Sequence, residues 1–181
     1  KKHVGKIKNA VNHLTGLLND FLSLSKLEEG KVNINKEEFN VCTEIKNVIE
    51  ALSGIFKLNQ NIHINCQENL DIFTDKNILK NILFNIISNA IKYSDKDIDI
   101  EVINEKNTIS ISIQDRGIGI PLDEQKYLFT RFFRANNVGN TQGTGLGLNI
   151  VRRYCDLLEA DINFTSELEQ GKTVKITIPK K

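Results

Sequence analysis

Helices and antiparallel strands alternate along residues 31–181, which predicts an α+β fold: a two-layer α/β sandwich. Its sheet is mixed but mostly antiparallel, three helices cover it, and one long helix precedes it. Three observations carry this expectation. A heptad runs through the first thirty residues, amphipathic helical spacing recurs at 41–58 and 75–93, and strict two-residue alternation marks 97–104 and 108–114.

Over residues 1–29, Val4, Ile7, Val11, Leu14, Leu18 and Phe21 recur at alternating spacings of three and four, the seam of a bundled helix. Leu17 and Leu24 widen the seam, and Glu28-Glu29-Gly30 is a natural stop. The other reading is an amphipathic helix packed on its own domain. Residues 31–39 read as a short strand or extended link. Val41, Ile45, Val48, Ile49, Leu52, Ile55 and Phe56 mark a second helix over 41–58. Asn61–Cys66 and Leu70–Phe73 are short strands. A third helix over 75–93 is capped by Thr74 or Asp75. Strands at Asp97–Asn104 and Thr108–Gln114 are joined by a Glu105-Lys106-Asn107 turn. A helix over 145–158 and strands near 161–167 and 172–178 complete the chain.

Composition excludes several classes. The chain has 181 residues, 40% hydrophobic and 26% charged, enough to bury the core of one ordinary domain. Lys+Arg 24 against Asp+Glu 23 leaves a net charge of +1, without the basic excess of a nucleic-acid binder. No apolar run reaches the ~20 residues of a membrane span. Cys42, Cys66 and Cys155 are odd in number and form no CxxC, which predicts free buried thiols in a reducing compartment. Without any Met, the sequence reads as a piece of a longer protein.

Three segments carry chemistry. On the third helix Asn85, Asn89, Lys92 and Tyr93 fall within an arc of about 100°, beside the apolar face of Leu79, Ile82, Leu83, Ile86, Ile87 and Ala90. Asn is a mediocre helix former, so two of them four apart on a core rim want an external partner. An amide oxygen suits Mg²⁺, Lys92 can neutralise phosphate and Tyr93 offers an aromatic face. The row continues in Asn77 and Asn81, which also fits a solvated flank. In the second segment Asp115 continues the parity of Ile109, Ile111 and Ile113 and so points to the core side of the sheet. A carboxylate there needs donors, and the exocyclic amino group of a purine is one. Gly117 and Gly119 follow, removing side chains where a flat ligand approaches backbone. In the third segment, Gly143-Thr144-Gly145-Leu146-Gly147-Leu148 runs into a helix whose first N–H groups can converge on phosphate. Polar residues Asn136 to Gln142, with Val138 the lone apolar one, predict a mobile lid. Phe129-Thr130-Arg131-Phe132-Phe133-Arg134 anchors the lid's entry, with the phenylalanines in the core and Arg134 or Arg131 placed for the terminal phosphate.

Taken jointly, these segments resemble the catalytic ATP-binding domain of sensor histidine kinases, in the Bergerat-fold (GHKL) superfamily that includes gyrase, Hsp90 and MutL. Asn85–Tyr93 resembles the N box, Asp115–Gly119 the G1 box, Phe129–Arg134 the F box and Gly143–Gly147 the G2 box. The likeness covers 31–181, while residues 1–30 look like the second helix of the family's dimerisation and phosphotransfer hairpin. It implies ATP and Mg²⁺ as cofactors, with phosphoryl transfer to a histidine and onward to the aspartate of a response-regulator receiver domain. By position, Asn89 would ligate Mg²⁺ and Asn85 would support metal or phosphate. Lys92 and Arg134 would hold phosphates, and Tyr93 would line the adenine pocket. Asp115 would read the adenine amino group beside Gly117, Gly119 and Ile120, with Gly143, Thr144, Gly145, Leu146 and Gly147 as the phosphate cradle.

Where the superfamily's ATPases carry a water-activating Glu, this chain has Asn85, which cannot act as a general base. The catalytic groups are then Asn85, Lys92 and Arg134, acting by position and charge. The family's acceptor His is followed by an acidic residue and shortly after by Pro; His3, His13 and His63 lack that context. The acceptor helix is therefore expected outside this chain, in a homodimeric protein whose cytoplasmic portion this is and whose full length can be anchored in the inner membrane. Two other readings stay open: an ATP-sensing module without transfer, and an ATP-hydrolysing clamp.

Overall fold

The computed structural model describes residues 2–67, 70–139, 141 and 143–180, with side chains of the first helix described at residues 11, 14–18 and from 20 onward. Helix α1 (Lys2–Glu28) is unbroken. Its described seam residues Val11, Leu14, Leu18 and Phe21 are exposed, and Leu24 alone is buried in the core, with Leu27 packed against it. The helix is thus anchored by its C-terminal end, and these four described seam residues do not pack on the domain. The side chains of Val4, Ile7, His3 and His13 lie outside the described residues.

Strands β1 (Lys36–Asn40) and β3 (Asp71–Asp75) pair antiparallel as a small ribbon, Lys36 opposite Asp75 and Asn40 opposite Asp71. Helix α2 (Val41–Leu52) starts where the Asn40 side chain accepts from Thr43 N at 2.9 Å. It buries Val41, Ile45, Val48 and Leu52. It ends at Leu52, shorter than the 41–58 expected, and the chain tightens into a 3-10 turn over Ser53–Ile55. Ser53 and Gly54 are poor helix formers; beyond them Ile55 is exposed, and Phe56 still packs against the core from outside the helix.

The main sheet has the order β2 (Ile62–Asn65), β4 (Ile98–Asn104), β5 (Thr108–Asp115), β7 (Gly171–Pro179), β6 (Asp161–Glu167). Only β2 and β4 run parallel; the other three pairings are antiparallel. Ile98, Ile100 and Val102 of β4, Ile109, Ile111 and Ile113 of β5 and Val174, Ile176 and Ile178 of β7 face one side and are buried. Helices α2, α3 (Lys76–Tyr93) and α4 (Gly147–Leu157) supply the matching layer. The expected two-layer α+β sandwich with three covering helices is what forms.

Of the two caps considered for α3, Asp75 is the one used: its Oδ1 accepts from Ile78 N at 2.9 Å and its Oδ2 from Asn35 N at 2.7 Å. At the other end, buried Gln60 donates to the carbonyls of Ser94 (2.9 Å) and Lys96 (3.2 Å), fixing where α3 stops.

One expectation is overturned. Cys42, in the first turn of α2, and Cys66, just past β2, form a disulfide with their Cα atoms 6.1 Å apart; Cys155 is free and buried. The 24-residue separation hid the pairing, because proximity depends on how α2 lies against β2. The argument for a reducing compartment lapses with it.

Candidate nucleotide site

Between α3 and the loops that follow β5 and precede α4 lies a cavity of about 620 Å³. Of the residues singled out from sequence, Asn85, Asn89, Lys92, Tyr93, Asp115, Gly119, Ile120, Arg134, Gly143, Thr144, Gly145 and Gly147 all line it. Two do not. Leu146 is in the core, 1% exposed, with its N–H donated to Thr144 Oγ1 at 3.1 Å. Gly117 is off the wall because it packs on the end of α3: a Cβ there would lie 2.1 Å from the Tyr93 carbonyl oxygen. Its missing side chain serves helix packing, not ligand approach.

Asp115 sits at one pole of the cavity, 2% exposed as the strand parity demands. Its Oδ1 accepts from Gly117 N at 3.1 Å. Its Oδ2 contacts Lys172 Nζ at 3.1 Å without the alignment of a hydrogen bond, so this buried oxygen keeps no hydrogen-bond donor among the described residues. That is the situation in which a ligand N–H is accepted. The adjoining loop is pinned: Ile120 N donates to Ser166 Oγ (2.9 Å), and Gln125 Nε2 bridges the carbonyls of Ile120 (2.9 Å) and Ser166 (3.0 Å). Burial pushes the Tyr93 phenol above its ordinary value, partly offset by the Arg134 charge, and the ring stays neutral.

The other pole is built from α3 and the start of α4. The Asn85 amide nitrogen donates to Asn81 O at 3.0 Å, and a Cβ on Gly147 would come within 2.7 Å of Asn85 Oδ1, so a side chain there would displace the Asn85 amide. Asn89 is half-buried, and its side chain makes no hydrogen bond among the described residues. No group of three or more His, Cys, Asp or Glu able to hold a metal occurs among the described residues. An amide without a hydrogen bond among the described residues, lining the same cavity as Gly143, Thr144, Gly145 and Gly147, fits a hard cation that draws few ligands from protein.

Sequence reasoning placed some residues differently. Arg134 reaches the cavity, its guanidinium bound to the Thr141 carbonyl, whereas Arg131 is committed to Glu28 of α1. Phe132 is exposed with φ +60, not in the core; Phe129 packs edge-on against Phe164, and Phe133 lines the cavity. The entry of the lid is tied down: Asn136 N donates to Glu124 Oε2 at 3.0 Å and Asn137 Nδ2 to Gly119 O at 3.0 Å. Gln142, its far end, lies outside the described residues. Among the wall residues not singled out from sequence, two are charged, Lys172 and Asp20. Lys172 shares the buried parity of Val174 and Ile176, a signal as plain as that of Asp115. Asp20 of α1 accepts from Thr144 Oγ1 at 2.8 Å, a contact between distant segments that no local pattern announces.

A family model for "Histidine kinase-, DNA gyrase B-, and HSP90-like ATPase" matches residues 74–181 of the chain. The chain belongs to this ATPase family. Within it, the chain is an ATP-binding catalytic domain of the sensor histidine kinase type. It is 34% identical to the Autoinducer 2 sensor kinase/phosphatase LuxQ of Vibrio vulnificus (strain YJ016), over 98% of the chain and 22% of that protein. It is 32% identical to the Signal transduction histidine-protein kinase BarA of Escherichia coli (strain K12), over 96% and 20%. The chain thus spans about a fifth of the length of these relatives. Among solved structures, full-length ShkA in complex with AMPPNP shares the fold, with TM-score 0.85, 23% identity, 99% of this chain and 38% of that one. The catalytic domain of histidine kinase ThkA covers 81% of this ATPase-family chain and is itself covered to 96%, with TM-score 0.68 and 27% identity.

Proposed function

We propose that the chain binds Mg·ATP in this cavity and transfers the γ-phosphoryl group to a histidine of an acceptor helix, from which it passes to an aspartate of a response-regulator receiver domain. The observation that carries the reading is the orphaned Asp115 Oδ2 in a cavity that is also lined by Asn89, Lys92, Arg134 and the start of α4. Asp115 accepts the adenine amino group, between Tyr93 and the wall of Gly119 and Ile120. Lys92 and Arg134 hold phosphate oxygens, and the N–H groups of Gly143, Thr144, Gly145 and Gly147 cradle them, while the Leu146 N–H stays with Thr144 Oγ1. Asn89, supported by Asn85, would hold Mg²⁺, which would supply positive charge to offset that developing on the phosphate.

No carboxylate stands at position 85 to activate water, so the residues favour a protein acceptor and work by alignment. His63 is engaged with Asp97 at 3.1 Å and does not line the cavity, which fits an acceptor supplied by another helix. Residues 1–30 form part of a dimerisation hairpin and 31–181 the catalytic domain of a homodimeric, membrane-associated sensor. The test is to mix the chain with a separate acceptor-helix hairpin and γ-labelled ATP. Label on the hairpin histidine is expected, and Asn89→Ala should abolish both transfer and the Mg²⁺ dependence of ATP binding. Tight Mg·ATP binding with no transfer to any hairpin would point instead to a sensing module.

A further inference from the structure

The base end of the cavity holds a charge pair that the adenine reading does not require. Asp115 and Lys172 are directly opposite each other on β5 and β7, close enough for their side chains to meet. Lys172 is 9% exposed, an unusual place for an ammonium group. Its Nζ lies 3.1 Å from Asp115 Oδ2 and 5.3 Å from the Tyr93 ring centroid, and all three side chains line the cavity. An ammonium has three donors, and no hydrogen bond consumes them among the described residues. An acceptor and a donor therefore stand side by side where the base is expected.

Purines present two different edges to such a pair. In adenine an amino donor is flanked by ring nitrogens that accept. In guanine and hypoxanthine a carbonyl oxygen accepts beside an N1–H that donates. A lone carboxylate held opposite position 6 complements the first edge and sets oxygen against oxygen on the second. A carboxylate with an adjacent ammonium complements both, since the flexible lysine stem can donate to a ring nitrogen or to O6. We propose that Asp115 and Lys172 form a two-part reader that holds 6-oxopurine nucleotides as well as adenine nucleotides, with Lys172 setting the balance between them. The proposal rests on Asp115 being the base-facing group.

Calorimetric titration of the chain with Mg²⁺ and non-hydrolysable ATP and GTP analogues tests it. Sites that reject a partner for want of a hydrogen bond do so by about ten-thousandfold, so discrimination of about a hundredfold or less is expected here. Greater discrimination would overturn the proposal. Lys172→Met should raise the ATP-over-GTP ratio about tenfold or more, chiefly by losing the GTP analogue, equivalent to about 1.4 kcal/mol. A ratio that stays put in a folded Lys172→Met protein also overturns it. If that variant fails to melt cooperatively, Lys172→Leu, which also removes the donor, and the wild-type ratio decide by the same criteria. Asp115→Asn separates the two levels of the argument. Were it to leave both affinities intact, or were neither analogue to bind the wild type, the base-site reading and this proposal would fall together. Loss of ATP binding in Asp115→Asn with an unmoved ratio in Lys172→Met sinks the role of Lys172 alone.

Discussion

Cys155 on α4 is fully enclosed, and burial, with Asp156 adding to it, pushes its thiol up to about 12 from an ordinary 9.0. The folded protein therefore keeps the proton that the unfolded chain releases. With the folded value above the unfolded one, this contribution to stability is whole below pH 9 and drains away as pH rises toward 12. At pH 8 without reductant, a thiol reagent should label one cysteine per chain only after denaturant is added; prompt labelling of the native protein would contradict the burial. Individual residues also mark what sequence can carry. Asp115 was legible because parity with three isoleucines decides which way it faces. Lys172 obeyed the same rule, yet its meaning needed the β5–β7 register, which is a property of two strands at once. Phe132 is exposed and has a positive φ, neither of which composition encodes.

The elements were legible in type and order, because period two and period 3.6 are written into the isoleucines and leucines. Their ends were less so: α2 stops at Leu52 although apolar spacing continues to Phe56, since the backbone, not the pattern, fails at Ser53-Gly54. Helix α3 is the element on which the candidate site depends most, and its start is set by Asp75, 4% exposed and holding two backbone N–H groups. Asp75→Ala strands both donors and should cost about 2–3 kcal/mol, combining a lost cap with a lost buried bond. Urea denaturation reads this directly, and a change under about 0.5 kcal/mol would show that α3 does not lean on its cap.

For the molecule as a whole, α1 is the unbalanced part. Val11, Leu14, Leu18 and Phe21 are all exposed although their spacing is that of a packed seam. If that seam belongs to a homodimer, the chain should self-associate in sedimentation equilibrium, and Leu14→Glu with Leu18→Glu should return it to monomer while leaving nucleotide affinity unchanged. A wild-type chain that stays monomeric at high concentration would assign the seam to some other helix. Neither this unfinished surface nor the disulfide between Cys42 and Cys66 was decidable from one sequence, because each depends on surfaces brought together only in three dimensions.

The sheet is open, so it ends in two strands, β2 and β6, each joined to a neighbour on one side only. Such rims invite stray strands to add on and seed aggregation. Here the rims are blunted: β2 is four residues long, and β6 carries Asp161 and Glu167 at its two ends. Two copies meeting rim to rim along β6 would bring acid against acid, a repulsion that helps keep the domain soluble whichever way its leading helix is paired.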